Sequence, residues 1–532
     1  MMGGMAGIST IPVVQELAAL MLAHGVARCV LCPGSRNSPI VATLSALPEF
    51  ECRGATDERS AGFMALGWAA QCGGRVAVCV TSGSALLNLH PAVAEAYYRN
   101  IPLLVISADR PAAWIGQQDG QTLPQPGAFG PLAHHFELPE TADAWHRNRV
   151  LNEALLPPAD AKPVHLNIPL AEPLFGIADA PLPAPRVIRR GMPDAAELAD
   201  CTRRLILLGQ LAQGVPAEEV RELESMGYAV VAEHLANTPA ATCTQPDLVV
   251  GPEPGAEWSP DLLITVGGCI ISKRLKNLLR TNPPKRHWHV SPTAEVVDTF
   301  RHLTRCVPGD AAGLPALLRG MGRGDSSYVG KWKQAPATFP TGGYNGMVLT
   351  GRVLQNLPRP CTLHLANSSV VRYAQLHPLP QGVQVECNRG VNGIEGSLST
   401  AIGYAMGDTR PNIILCGDLS FFYDMNALWL QGIRGNVRIL LLNNGGGGIF
   451  TTLPMAANDF VQGKHPATAQ AWAEACGFRY LALTPDTPEA GIAGALAALT
   501  PPSPEQDRPV FVEAFTDSEA DAAALRLFLS TH

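Results

Sequence analysis

Two short strings near the carboxyl end of the chain carry groups suited to a metal–phosphate site: Gly417-Asp418 and Asn443-Asn444-Gly445-Gly446. Each closes an apolar run, Ile413–Cys416 and Arg438–Leu442, that reads as a buried strand. The stretch between them has helical character, and a strand–helix–strand unit brings both strand ends to one rim of a parallel sheet. A carboxylate, an amide oxygen and a glycine carbonyl on that rim suit Mg²⁺, which wants a near-octahedral oxygen shell and shares it with phosphate. The glycines let backbone approach a diphosphate, and free N–H groups at the turn can cradle it. Far upstream, ECRGATDERSAGF reads as a strand running into a helix, with Asp57 and Glu58 at the junction. First-turn acids cap helices and match the dipole, so either residue can be the cap and either can be an acid of a partly dry site.

A second set of residues is cationic. PGSRNSP sets Ser35 and Arg36 at a helix N-terminus after the apolar run VARCVL, a position that favours anions. Arg110 ends the run LLVISADRP, and Gln121 lies in the loop that follows. After DLLITVGG, Ser272 is placed to cap a helix whose first turn holds Lys273 and Arg274. Cations there oppose the helix dipole by some tenths of a kcal/mol, a placement that an anionic ligand would offset. Ser368 and Arg372 in NSSVVRYAQL and Arg389 in ECNRGVNG complete the set. Arginine forks bind carboxylates bidentately, so a site for ligands carrying several carboxylates should hold several such side chains, although each one alone also reads as a surface or salt-bridge residue.

The elements that must position these groups follow from the chain's rhythm. Short apolar runs ending in Gly, Ser, Asp or Asn alternate with helical stretches, which predicts α/β domains, doubly wound around mostly parallel sheets. Pro/Gly-rich stretches at 169–193 and 309–343 read as linkers and divide the chain into domains at 1–180, 195–325 and 345–532. The runs RVAVCVTSGSALLNLHPAVAEAYYRNIPLLVISADRP and NIILCGDLSFFYDMNALWLQGIRGNVRILLLNNGGGGIF follow one plan, consistent with a distant internal duplication.

Composition narrows the function classes. A chain of 532 residues, 46% apolar, can bury several cores. Its net charge of −7 gives no basic field for nucleic acid or anionic lipid. No run approaches the roughly 20 apolar residues of a bilayer span, and the start lacks a secretory pattern, so the expected location is the cytoplasm. Thirteen cysteines scattered through apolar segments, Cys79, Cys269 and Cys416 among them, read as buried reduced thiols. The single C-x-x-C, Cys29 to Cys32, has no partner pair for zinc or redox work.

The Gly417-Asp418…Asn444 segment resembles the fingerprint of thiamine-diphosphate-dependent enzymes. PGSRNSP, DERSAGF, ADRP, ISKRL, NSSVVR, NRG…GI and GDLSF…NN…GGIF occur in the order found in the menaquinone-pathway branch of that family, and the likeness runs from about residue 9 to the C-terminus. The resemblance implies pyrimidine-binding, central and diphosphate-binding domains in that order. It makes Asp418, Asn444 and the Gly446 carbonyl ligands of Mg²⁺ or Mn²⁺, with Gly417, Leu419 and Ser420 also at the cofactor. Glu58 becomes the acid that hydrogen-bonds the cofactor's pyrimidine nitrogen and promotes loss of the thiazolium proton, leaving Asp57 as cap; Ile394 props the cofactor into its bent form. Ser35, Arg36, Arg110, Gln121, Lys273, Arg274, Ser368, Arg372 and Arg389 become substrate contacts. The implied reaction is decarboxylation of 2-oxoglutarate and addition of the succinyl unit to isochorismate, in a homodimer or homotetramer with sites between subunits. This chain departs from the family pattern at Leu419, Gly120, Gly445 and Gly448. Two other functions compatible with these residues are a different thiamine enzyme, such as an acetolactate synthase, and a non-catalytic cofactor-binding regulator.

Overall fold

The computed structural model describes residues 7–139, 141–158, 160–334, 338–448, 450, 458–500 and 508–531. Ile449 of the GGIF string lies outside them. The chain forms two compact units, Met1–Arg190 with Val296–Thr304, and Gly191–Glu295 with Arg305–His532.

In the first unit, six parallel strands run in the order Glu51–Gly54, Arg28–Leu31, Val76–Val80, Leu103–Asp109, Val164–Pro169 and His134–Glu137. The two central ones, Val76–Val80 and Leu103–Asp109, are buried along their whole length, as expected where helices cover both sheet faces. Apolar clusters lie on either side, one around Leu17, Ile40 and Leu151, the other around Ala65, Leu89 and Val93. Residues 296–304 join this unit through Asp298, whose carboxylate accepts from Arg186 Nη2 and Trp145 Nε1, each at 2.8 Å.

The second unit holds two sheets. Five parallel strands run Tyr228–Ala232, Arg204–Leu208, Leu262–Val266, Arg286–Ser291 and Arg305–Pro308. The other sheet runs Val383–Glu386, Cys361–Leu365, Asn412–Gly417, Val437–Asn443, Val510–Phe515 and Arg479–Leu483. Numbered along the chain within each sheet, the first and last sheets share the order 2-1-3-4-6-5, so the common plan seen in sequence extends to topology. In both, the order reverses between the first and third strands, the crevice where doubly wound sheets bind ligands.

The stretch at 309–343 is more than a connector. It contains the helices Leu314–Leu318 and Ser326–Trp332, and Trp332 is fully buried with its ring 5.0 Å from that of Trp258. Proline and glycine at 309–343 delimit two short helices, and composition alone does not separate that case from a linker. The stretch at 169–193 likewise contributes Ile177–Ala178, which pairs antiparallel with Ile8–Ser9. All thirteen cysteines are free, and most are buried or half-buried, but Cys269 is exposed because it follows the strand end Val266 on a glycine turn. No helix among the described residues is long and apolar enough to cross a membrane.

Replacing Trp332 by Ala is expected to cost about 3–5 kcal/mol, the usual range for deleting a buried aromatic. A urea midpoint left unchanged by Trp332→Ala would mean that this segment does not belong to the folded core.

Candidate functional site

Strand Asn412–Gly417 delivers Asp418 to the crevice, and the neighbouring strand Val437–Asn443 delivers Asn444 in register, Gly417 lying opposite Leu442. The Asp418 carboxylate is 3% exposed and joins the two strand ends. One oxygen accepts from Leu419 N at 2.7 Å, the other from Asn444 N at 3.1 Å and Gly446 N at 2.9 Å. Burial pushes its pKa up; those N–H groups and the nearby His465 ring oppose the rise. Asn444 Nδ2 donates to Asp521 at 3.2 Å, which fixes the amide so that its oxygen remains the free acceptor end. Asp521 also accepts from Gly346 N and Thr516 Oγ1, and burial raises its pKa as well.

Gly417, Asp418, Leu419, Ser420, Asn444 and Gly446 line one cavity with Ile394, Asn367, Ser368 and Asp521. Ser420 donates to the Ile394 carbonyl at 2.6 Å, tying the Ile394 loop to the helix Asp418–Tyr423. No group of three or more His, Cys, Asp or Glu side chains among the described residues is arranged to hold a metal. A hard cation here would draw on one carboxylate, amide and backbone oxygens and the phosphates of its ligand, and its charge would offset the burial of Asp418. The donor set therefore fits a Mg²⁺-type ion.

Two of the departures from the family pattern, Gly445 and Gly448, have local reasons. Gly445 has φ +75°, a left-handed conformation that favours glycine. A Cβ on Gly448 would lie 2.9 Å from Asn444 Nδ2 and displace that amide, whereas one on Gly120 would meet nothing within 4 Å. The half-buried Leu419 side chain lies beside Gly463 and the cavity.

The cationic residues of the second unit converge nearby. Ser272 caps the helix Lys273–Thr281 by accepting from Leu275 N at 2.8 Å, as its sequence position predicts. Lys273, Arg274 and Arg372 line a cavity of about 230 Å³ with Asp247, Gln375 and Leu529. Lys273 is exposed there. Arg274 donates to the carbonyls of Asp247 and Leu529, so two of its bonds anchor the helix. Ser368 adopts φ +74°, and its carbonyl accepts from Arg372. Arg389 is 7% exposed and donates to Asn367 Oδ1 at 2.9 Å, while its Nε has no hydrogen-bond partner. Arg389 also lowers the Arg372 pKa, after burial, by like-charge repulsion.

The first unit gathers the remaining set. Ser35 and Arg36 stand in the turn just before the helix Ser38–Ala46, not within it. Ser35 is exposed. Arg36 is 1% exposed, donates to the Leu170 carbonyl at 2.8 Å and sits over the Trp114 ring. Arg110 sits over the same ring and reaches Gln121 Oε1 at 3.4 Å. Burial and then the Arg110 charge lower the Arg36 pKa, and Nε of both arginines is buried without a partner. At the other junction, Asp57 caps the helix Glu58–Cys72 by accepting from Arg59 N at 3.1 Å. Glu58 is half-buried and accepts from Asn88 Nδ2 at 3.2 Å. The alternative between the two acids is thus resolved as to capping: Asp57 is spent, Glu58 is not.

Asp521, His465 and Trp114 escaped sequence reasoning. Asp521 looks like any first-turn acid of the last helix, Ser518–Thr531, and nothing in its spacing links it to Asn444.

Residues 11–128 match the family described as thiamine pyrophosphate enzyme, N-terminal TPP binding domain, and residues 367–514 match its C-terminal TPP binding domain. The chain is a thiamine-diphosphate-dependent enzyme. It is 45% identical to 2-succinyl-5-enolpyruvyl-6-hydroxy-3-cyclohexene-1-carboxylate synthase of Phocaeicola vulgatus, over 96% of this chain and 97% of that protein. The same enzyme of Bacteroides thetaiotaomicron is 46% identical over the same shares, and that of Flavobacterium johnsoniae is 35% identical over 86% of this chain and 89% of its own length. This chain belongs to the 2-succinyl-5-enolpyruvyl-6-hydroxy-3-cyclohexene-1-carboxylate synthase family. These relatives favour neither the acetolactate synthase reading nor the non-catalytic one.

The capping carboxylate and the one that does not cap separate by mutation. Asp57→Ala is expected to lower the thermal unfolding midpoint through loss of the Arg59 and Ser60 bonds, whereas Glu58→Gln leaves it unchanged; equal midpoint losses would contradict the division of roles.

Proposed function

We propose that this enzyme decarboxylates 2-oxoglutarate with thiamine diphosphate and joins the remaining four-carbon unit to isochorismate by 1,4-addition, a step of menaquinone biosynthesis. The observation that carries this reading is a set of three arginines, the buried Arg36 and Arg389 and the half-buried Arg110, each with a buried guanidinium Nε lacking a partner. A buried donor left unmade costs about 1–3 kcal/mol, and a ligand rich in carboxylates would recover it. A small neutral-tailed oxo acid needs fewer such groups.

When bound, thiamine diphosphate supplies the nucleophilic carbon and the electron sink for loss of CO₂. The residues of the chain position and polarise. Asp418, Asn444 and the Gly446 carbonyl would hold Mg²⁺ or Mn²⁺, with Gly417, Leu419 and Ser420 against the diphosphate. Glu58 would hold a proton at the pyrimidine nitrogen, and Ile394, its carbonyl fixed by Ser420, would support the bent cofactor. Ser35, Arg36, Arg110, Gln121, Lys273, Arg274, Ser368, Arg372 and Arg389 would bind and orient the two substrates, so that proximity and charge neutralisation are the protein's share of the catalysis. The first matched domain carries Glu58 and the second Asp418, which suits a homodimer or homotetramer whose sites draw on both kinds of domain. Domain boundaries at 1–180, 195–325 and 345–532 and a cytoplasmic location complete the reading.

Purified enzyme supplied with thiamine diphosphate, Mg²⁺, 2-oxoglutarate and isochorismate should release CO₂ and give the succinylated product by mass spectrometry; turnover with pyruvate in place of 2-oxoglutarate would overturn the substrate assignment. Asp418→Ala should abolish Mg²⁺-dependent cofactor binding in calorimetry. Glu58→Gln should retain binding but lose roughly 10²–10⁴-fold in turnover, the usual worth of a positioned acid–base group.

A further inference from the structure

Glu233 directly follows the strand Tyr228–Ala232 of the central sheet, yet it is 2% exposed. One carboxylate oxygen accepts from Ser272 N at 2.6 Å, and the other accepts from Ile271 N. These are the last two amides before the helix that carries Lys273 and Arg274. A second, half-buried carboxylate, Asp247, accepts from the Ser272 hydroxyl, and Lys276 Nζ donates to the Ile270 carbonyl at 2.8 Å. The segment from Ile270 to Arg274 is therefore held by charged side chains, and its residues Ile271 to Arg274 line the cavity shared with Arg372 and Asp247.

We propose that Glu233 is a positioning residue for anion binding: its ionised carboxylate orders the Ile271–Ser272 backbone and so holds Lys273 and Arg274 at the cavity in which Arg372 awaits a carboxylate-bearing substrate. The proposal rests on the substrate reading above. Its geometry suits the task, because a carboxylate satisfies two N–H donors at once, whereas a carboxamide offers one acceptor and turns an N–H against the other. Opposite charge keeps like charge in place here. Lys276 and Arg372 act on Glu233 electrostatically, and Arg389 acts on both of them.

The arrangement also sets a pH dependence. Burial pushes the Glu233 carboxyl up to about 7; the Asp247 charge adds to the rise, and the Ile271 and Ser272 amides and Lys276 oppose it. The adjacent His234 is held down to about 4 by burial and stays neutral, its Nε2 bonded to the Ala374 and His377 carbonyls. His377 is also lowered by burial, and Cys269 faces Lys276. The carboxylate is ionised above pH 7 and takes up a proton as pH falls through that value, so anion binding weakens on the acid side.

The test compares wild type, Glu233→Gln and Glu233→Asp by amide hydrogen exchange, by calorimetric binding of 2-oxoglutarate across pH 5.5–8.5 and by steady-state kinetics, with the unfolding midpoint as a control for folding. Expected for Glu233→Gln are faster exchange at Ile271 and Ser272 and binding of 2-oxoglutarate weakened about tenfold, one lost charge-assisted bond, with KM raised in step. Thiamine diphosphate affinity should be unchanged, and the acid-side loss near pH 7 seen in wild type should be absent. Glu233→Asp should restore part of the affinity. Unchanged exchange and affinity in the glutamine variant, or parallel loss of thiamine diphosphate affinity, would overturn the proposal. If wild type turns over neither substrate, the function assignment falls alone, because exchange rates and 2-oxoglutarate binding still decide the role of Glu233.

Discussion

A single buried carboxylate makes the last sheet into a site. Asp418 stands where strand Asn412–Gly417 ends, and its acceptors fold the Asn444–Gly446 turn back over the crevice through two N–H bonds. Without that closure the glycine turn has few side-chain contacts to hold it, and the backbone groups that suit a diphosphate would have no common orientation. The same carboxylate is the negative charge that a hard cation requires, so the group that shapes the turn also sets the site's electrostatics. Burial makes both uses costly, which is why Asp418 is surrounded by donors from three residues and by His465.

Within each unit the difficulty is also met in reverse, where positive charges lie close together. Arg36 and Arg110 both sit over the Trp114 ring, and Arg372 and Arg389 repel one another in the second unit. Each crowd is tolerated because backbone carbonyls, aromatic faces and a few carboxylates take up part of the charge: Leu170 and Glu172 for Arg36, Asp247 and Leu529 for Arg274. Some donors are still left over, the Nε of Arg36, Arg110 and Arg389 among them. Apolar side chains of similar volume are often as stable as buried charged groups, so stability alone does not call for these forks.

Much of this was legible in the chain itself. The strand–helix–strand rhythm around Asp418 and Asn444 reads directly, because parallel strands buried on both faces are continuous apolar runs and their ends are marked by glycine and polar residues. Ser272 as cap reads from its place before a helical run, and Asp57 follows the same logic once the DERSAGF string is compared with its family. Trp332 shows the limit: the Pro/Gly content around it suggests a linker, and only packing against Trp258 and Tyr328 makes the segment core. Cys269 shows the opposite error, an apolar neighbourhood in sequence that ends on an exposed turn.

The sequence by itself determined the sheets, the shared plan of the first and last domains, the chemical types at the strand ends and, through ordered motifs, the family. These depend on local periodicity and on residue type at fixed spacing, which a linear string records. Tertiary structure alone decided which donors are spent and which remain: that Arg274 anchors a helix, that Asp521 orients Asn444, and that Glu233, 38 residues from Ile271, supports the loop before Lys273. Such facts depend on contacts between distant segments and on burial, and neither has a signature in the spacing of residues along the chain.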